Sequence, residues 1–186
     1  MIDYTRNNKS YLSEDIIKSL SEMSIPAHII VYSSPSCPHC HHAVHTANKL
    51  ALHCKSINVS IVDIEQFPEN TKKYTIQSVP VTIIDNRHII NKVVTETTLA
   101  QYIINRGTEE NERIIFLSQI NTGNIGLAFR NIVDNIQNIK HFIYIWKTST
   151  LSQRMGLLLL SEKIMDHKKE LFNPYVPDLI GILSSS

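Results

Sequence analysis

Apolar positions recur along this chain in two rhythms, and the first hundred residues alternate between them. Residues 13–23, SEDIIKSLSEM, place Ile16, Ile17 and Leu20 on one stripe, which predicts a helix. Ser13 is set to cap it, Glu14 and Asp15 suit its first turn, and Pro26 stops it. HIIVYS at 28–33 is a short β-branched run of the kind that forms a buried strand. From Pro38 to about His53 the apolar residues Ala43, Val44, Ala47, Leu50, Ala51 and Cys54 fall on one helix face. A second strand follows at 57–64, then a short helix at 68–74 opened by Pro68. Residues 79–85 and 89–94 read as an antiparallel hairpin around Asn86-Arg87, and 97–105 as a closing helix with Gly107 as its stop.

A strand–helix–strand start implies a right-handed parallel unit, and the late hairpin adds an antiparallel edge. No strand pattern precedes the first helix, so the expected sheet has about four strands. After the polar stretch Thr108-Glu109-Glu110-Asn111 the alternation disappears. Helices are expected near 112–120, 124–138, 140–147, 150–168 and 174–183. The expected organisation is an α/β domain over residues 1–108 and an all-α domain over 109–186.

Composition narrows the function classes. The 186 residues carry 18 Lys+Arg against 17 Asp+Glu, a net charge of +1 that provides no field for nucleic acid. The longest apolar runs, at 142–146 and 157–160, fall far short of the ~20 residues of a membrane span. The N-terminal MIDYTRNNKS lacks the apolar stretch of a secretory signal. The expectation is a cytoplasmic protein without a membrane or nucleic-acid partner. Three cysteines cannot form a disulfide scaffold, but Cys37 and Cys40 form a C-x-x-C pair.

That pair stands where a strand gives way to a helix. A sulfur at a helix N-terminus gains from unpaired backbone N–H groups and the helix dipole. Pro38 suits the first helical position, because its missing N–H has no partner there anyway. His39 can add positive charge or a hydrogen-bond donor. All three favour the thiolate, which is the attacking species. Cys40, one turn on, is within reach of Cys37, so Cys37 would form a mixed disulfide and Cys40 would resolve it.

Residues 28–104 resemble a thioredoxin fold, through SCPHC at 36–40 and SVPV at 78–81. The resemblance implies a cis bond before Pro80, which would lie against the active-site disulfide, and backbone hydrogen bonds from Val79 to a substrate chain. CPHCHHAVHTANKLA at 37–51 is similar to the catalytic unit of glutaredoxin-like protein disulfide oxidoreductases. It is also similar to the thioredoxin-fold N-terminal domain of the alkyl hydroperoxide reductase flavoprotein. The Cys-Pro-His-Cys tetrad is shared with the DsbA class of thiol oxidants. Ser36 stands where thioredoxins usually have Trp, and no counterpart of their buried acidic residue is evident. Asp63 and Glu65, at the end of the second strand, are not singled out. The implied partners are protein disulfides and an unidentified electron donor, with no cofactor and no metal.

Other readings compete. A C-x-x-C can be half of a zinc site, but zinc needs four ligands and no second pair exists. His41 and His45 have metal-sharing spacing, yet with Lys49 and His53 they fall opposite the apolar face and read as a solvated stripe. Cys54 sits on the apolar face as a small core residue. In the second half, residues 152–167 followed by NPYVPDLIGIL at 173–183 are similar to a HEAT-type helical hairpin, through Arg154, the leucine run and Pro177-Asp178-Leu179-Ile180. FIYIW at 142–146 reads as core. The leading expectation is a thiol–disulfide oxidoreductase running as a reductase or isomerase, with a potential between about −270 and −120 mV. The alternatives are an adaptor that recruits a partner through its helical half, and a Cys/His metal-binding protein.

Overall fold

The computed structural model describes residues 12–177. Contacts divide the chain into two compact units. Among the described residues, the first takes in 12–72, 76–86 and 90–106, and the second takes in 73–75, 87–89 and 107–177.

The first unit opens with α1 (Glu14–Ser21), capped as expected by the Ser13 hydroxyl, which accepts from the Ile16 N–H. Then come β1 (Ala27–Ser33), α2 (Cys40–His53) and β2 (Ile57–Asp63), followed by a 3₁₀ helix over Pro68–Tyr74. β3 (Val81–Ile84), β4 (His88–Ile90) and α3 (Glu96–Ile104) follow, His88 and Ile89 of β4 being grouped with the second unit. The sheet among the described residues has four strands in the order β2-β1-β3-β4, with β1 parallel to β2 and antiparallel to β3. The expected mixed α/β architecture is therefore present. Ile29 and Val31 from β1 pack with Ala43, Ala47 and Leu50 from α2, Leu20 from α1, and Leu99 and Ile103 from α3. Cys54 joins this core, its Sγ 2.9 Å from the carbonyl of Leu20.

The hairpin is shorter than its sequence pattern. Pro80 has no N–H to give a ladder, so β3 begins after it. Asp85 and Asn86 both take positive φ, 51° and 59°, which turns the chain tightly into β4. Residues 91–94 lie outside any strand.

The second unit is helical: α4 (Glu109–Asn121), α5 (Ile125–Asp134), α6 (Ile139–Thr148) and α7 (Leu151–Lys168), with 3₁₀ segments at Ile136–Asn138 and Lys169–Tyr175. α4 starts earlier than expected. The polar stretch at 108–111 is its first turn: Thr108 caps the Asn111 N–H, and Glu109, Glu110 and Glu112 complement the dipole. The single helix expected over 124–138 breaks at Asn135, which is extended (φ −142°) and caps Gln137 with its side chain. Phe116, Ile132, Ile139, Phe142, Leu157 and Leu160 are the centre of a separate core. FIYIW is mostly core, as expected, although Tyr144 is exposed. The second helix of the HEAT-like hairpin, expected over 174–183, lies largely outside the described residues; of the part described, Pro174 and Tyr175 end a 3₁₀ segment and residues 176–177 are α-helical. The polar N-terminal ten residues also lie outside them. No helix among the described residues is long and apolar enough to cross a membrane.

Candidate active site

The loops that leave β1 and β2 emerge side by side, because the two strands are parallel and in register, Ser33 opposite Asp63. The loop after β1 carries both cysteines. Cys37 N–H donates to the Ser34 carbonyl (3.1 Å), and Cys40 N–H donates to the Cys37 carbonyl (3.3 Å). These i→i+3 bonds wind the C-x-x-C segment into a tight turn ahead of the helix.

α2 therefore begins at Cys40, with His39 at the N-cap, making no side-chain capping bond. This corrects the expectation that Pro38 is the first helical residue and Cys37 part of the helix end: both precede it. The physical reason is the i→i+3 turn, whose tighter winding continues until Cys40. No acidic residue occupies the first turn of α2 to oppose negative charge there.

Cys37 and Cys40 are joined as a disulfide with Cα atoms 5.5 Å apart. Their exposure differs. Cys37 is half-buried, whereas Cys40 is buried at 3 %. Residues from far along the chain complete the site. Cys37 Sγ lies 3.6 Å from the Val79 carbonyl oxygen, and the Val79–Pro80 peptide bond is cis. Pro38 and His39 are exposed beside the pair. His41 and His42 are exposed, with ring centroids 3.8 Å apart, and His45 is exposed too. Among the described residues no group of three or more His, Cys, Asp or Glu is placed to hold a metal ion.

The solvated stripe expected on α2 is not continuous. Lys49 is buried, and its ammonium donates to Glu96 of α3 at 2.7 Å, both side chains being about 10 % exposed. A four-carbon stem can lie along apolar surface when a carboxylate from another helix meets its charge.

A fold with β1∥β2, an antiparallel β3–β4 edge and a C-x-x-C segment facing the cis-Pro80 loop has a matching family. The family described as "Thioredoxin domain" matches residues 15–104. The α/β half of the chain has a thioredoxin-like fold. Solved structures are similar over half of the chain. The NTD_N/C domain of alkylhydroperoxide reductase AhpF from Enterococcus faecalis (V583) is 26 % identical, with 50 % of this chain and 44 % of that one covered and a TM-score of 0.45. The AhpF C503A mutant from the same organism is 28 % identical with the same coverage and TM-score. A protein disulfide oxidoreductase from Aeropyrum pernix K1 is 24 % identical, with 50 % and 43 % covered and a TM-score of 0.43. The chain thus spans less than half the length of each of these. No curated protein matches it.

The thioredoxin fold here also holds a residue that the sequence reading passed over. Glu65, two positions beyond β2, accepts from Ser36 Oγ at 2.9 Å and from Ser34 Oγ on the same oxygen, Oε1. Ser34 Oγ in turn accepts from the Ser36 N–H at 3.1 Å, and Asp63 Oδ1 accepts from the Glu65 N–H at 2.9 Å. The two hydroxyls, Ser34 first, stabilise the ionised carboxyl and hold its pKa below the ordinary value, although the side chain is exposed. A signal for this network was available: loops leaving the same end of adjacent parallel strands must meet.

Proposed function

We propose that the protein is a thiol–disulfide oxidoreductase acting on protein disulfides through Cys37 and Cys40, without a metal or organic cofactor. The observation that carries this reading is the asymmetry of the pair: a half-buried Cys37 bonded to a fully buried Cys40. In the dithiol form, the Cys37 thiolate attacks one sulfur of a substrate disulfide. A Cys37–substrate bond forms, the substrate S–S bond breaks, and one substrate thiolate leaves. Cys40, having lost its proton, then attacks Cys37 Sγ; the Cys37–Cys40 disulfide closes and the second substrate thiolate leaves. Two electrons pass to the substrate, and a dithiol donor of lower potential returns the pair to the reduced form. His39 supplies positive charge or a donor beside the thiolate, Pro38 restricts the turn, and Val79 with Pro80 offers backbone to the substrate chain.

The reading places the reaction in a thioredoxin-like domain over residues 1–108 and assigns the all-α domain over 109–186 to recruiting a partner. Support for recruitment comes from α7, where Leu151, Met155, Leu158 and Leu159 are all at least half exposed. The proposed compartment is the cytoplasm, where such a couple would work as a reductase or isomerase.

Cys40→Ser is expected to trap mixed disulfides with protein substrates, visible on non-reducing gels, while Cys37→Ser traps none. Equal trapping by both variants overturns the assignment of roles. Stoichiometric zinc on the reduced protein, lost in Cys37→Ser, would instead favour the metal-binding reading.

A further inference from the structure

An exposed glutamate is ordinarily mobile, and ordering its side chain costs entropy. Glu65 is exposed yet held by two hydroxyls, both from the segment Ser34–Ser36 that leads directly into Cys37. Both bonds fall on Oε1, and no hydrogen bond engages Oε2 among the described residues. The charge is fixed as well as the position, since the two donors favour the carboxylate over the carboxylic acid. Asp63, whose Oδ1 accepts from the Glu65 N–H, adds a second carboxylate at the same strand end. Around the cysteines, Pro38, His39, His41 and His42 bring no carboxylate of their own. Glu65 therefore fixes a negative charge beside Ser36, the residue next to Cys37.

We propose that Glu65 is a specificity-determining residue that selects protein disulfides flanked by lysine or arginine and disfavours acidic ones. The proposal rests on the oxidoreductase reading. A cationic side chain next to the attacked sulfur meets Oε2 while Cys37 forms the mixed disulfide. An acidic disulfide meets a like charge that cannot swing away, because both hydroxyls hold it. The chemistry at sulfur is unchanged; only the encounter and the mixed-disulfide stage differ between substrates.

The test uses the full chain, reduced with dithiothreitol and freed of it, in single-turnover reactions at pH 8 and low ionic strength. The disulfides are those of Lys-Cys-Lys and Glu-Cys-Glu, with neutral 2-hydroxyethyl disulfide alongside. Each rate is divided by that of the same disulfide with dithiothreitol, which removes intrinsic differences in reactivity. The basic peptide should react faster than the acidic one by a factor of order five, and the ratio should shrink toward one in about 0.5 M salt. Glu65→Gln keeps an oxygen for both hydroxyls but loses the charge, so the ratio should collapse at low salt. Glu65→Lys should invert it. A wild-type ratio near one, or one that Glu65→Gln and Glu65→Lys leave intact, overturns the proposal while the neutral disulfide is still reduced. If none of the three disulfides reacts although Cys37 can be alkylated, the oxidoreductase reading itself fails.

Discussion

The α/β unit and the helical unit treat polar side chains in opposite ways. In the first, Ser34, Ser36, Glu65 and the cysteine pair gather where the parallel strands β1 and β2 end, the place where open α/β sheets present ligand sites. Glu65 Oε2 has no hydrogen bond there among the described residues. In the second, inward polar groups tie elements to one another, although Asn111 Nδ2 and Gln119 Oε1 lie buried without a hydrogen-bond partner among the described residues. Asn138 donates to both oxygens of Asn131, at 2.9 and 3.0 Å, and the Arg87 guanidinium donates to Asn131 and Glu112. Gln119 donates to the Arg87 carbonyl, and Asn124 to that of Tyr74. Bonded in this way, such groups hold elements in register. Candidate chemistry lies in one unit, and the other is built for packing and surface.

Substitutions can break or sharpen this contrast. The largest effect is expected inside the α/β unit, away from its site. Lys49→Met removes the partner of buried Glu96 and should cost about 3–5 kcal/mol in urea unfolding. Replacing both, Lys49→Met with Glu96→Leu, should recover most of it. Recovery without change in Cys37 alkylation would separate the support of α2 from the chemistry at its start; an unstable double variant would show that the pair does more than match charge.

Next comes His88, which belongs to the helical unit's contacts. Burial pushes its pKa down to about 4. The fold favours the neutral ring, so the unfolded chain takes up a proton near the ordinary 6.5 while the folded protein does not. Stability from this group is complete above pH 6.5 and is lost as pH falls toward 4, by about 3 kcal/mol in all. His88→Leu should remove that part of the slope. A parallel pH profile in the variant would show that the loss arises elsewhere.

The smallest effect tests packing in the helical unit. Gly156 lies inside α7, where alanine usually adds stability. A Cβ there would meet Ile120 Cγ2 of α4 at 2.9 Å, a branched carbon with little freedom to move. Gly156→Ala should therefore destabilise the protein by about 1–2 kcal/mol and leave disulfide exchange by the folded protein unaltered. A stabilised variant would show that α4 and α7 separate easily, and a loss of exchange would place part of the chemistry in the helices.

What could be read from residues alone was whatever repeats locally. The stripe of α1 with its Ser13 cap, the buried run of β1, the apolar face of α2 through Cys54, and the C-x-x-C pair all depend on neighbours within a turn or two. The start of α4 was legible as well: Thr108 followed by three glutamates is a helix opening, although it reads as a boundary when composition alone is weighed. What only the tertiary structure decided are meetings between polar residues far apart in the chain. Lys49 meets Glu96 across 47 positions, Glu65 meets Ser36 across 29, and Arg87 meets Asn131 across 44. Periodicity registers which face of an element is apolar, because burial is a property of the whole face. A single hydrogen bond between two loops leaves no period, and its partners are chosen only when strand order and register bring the loops together.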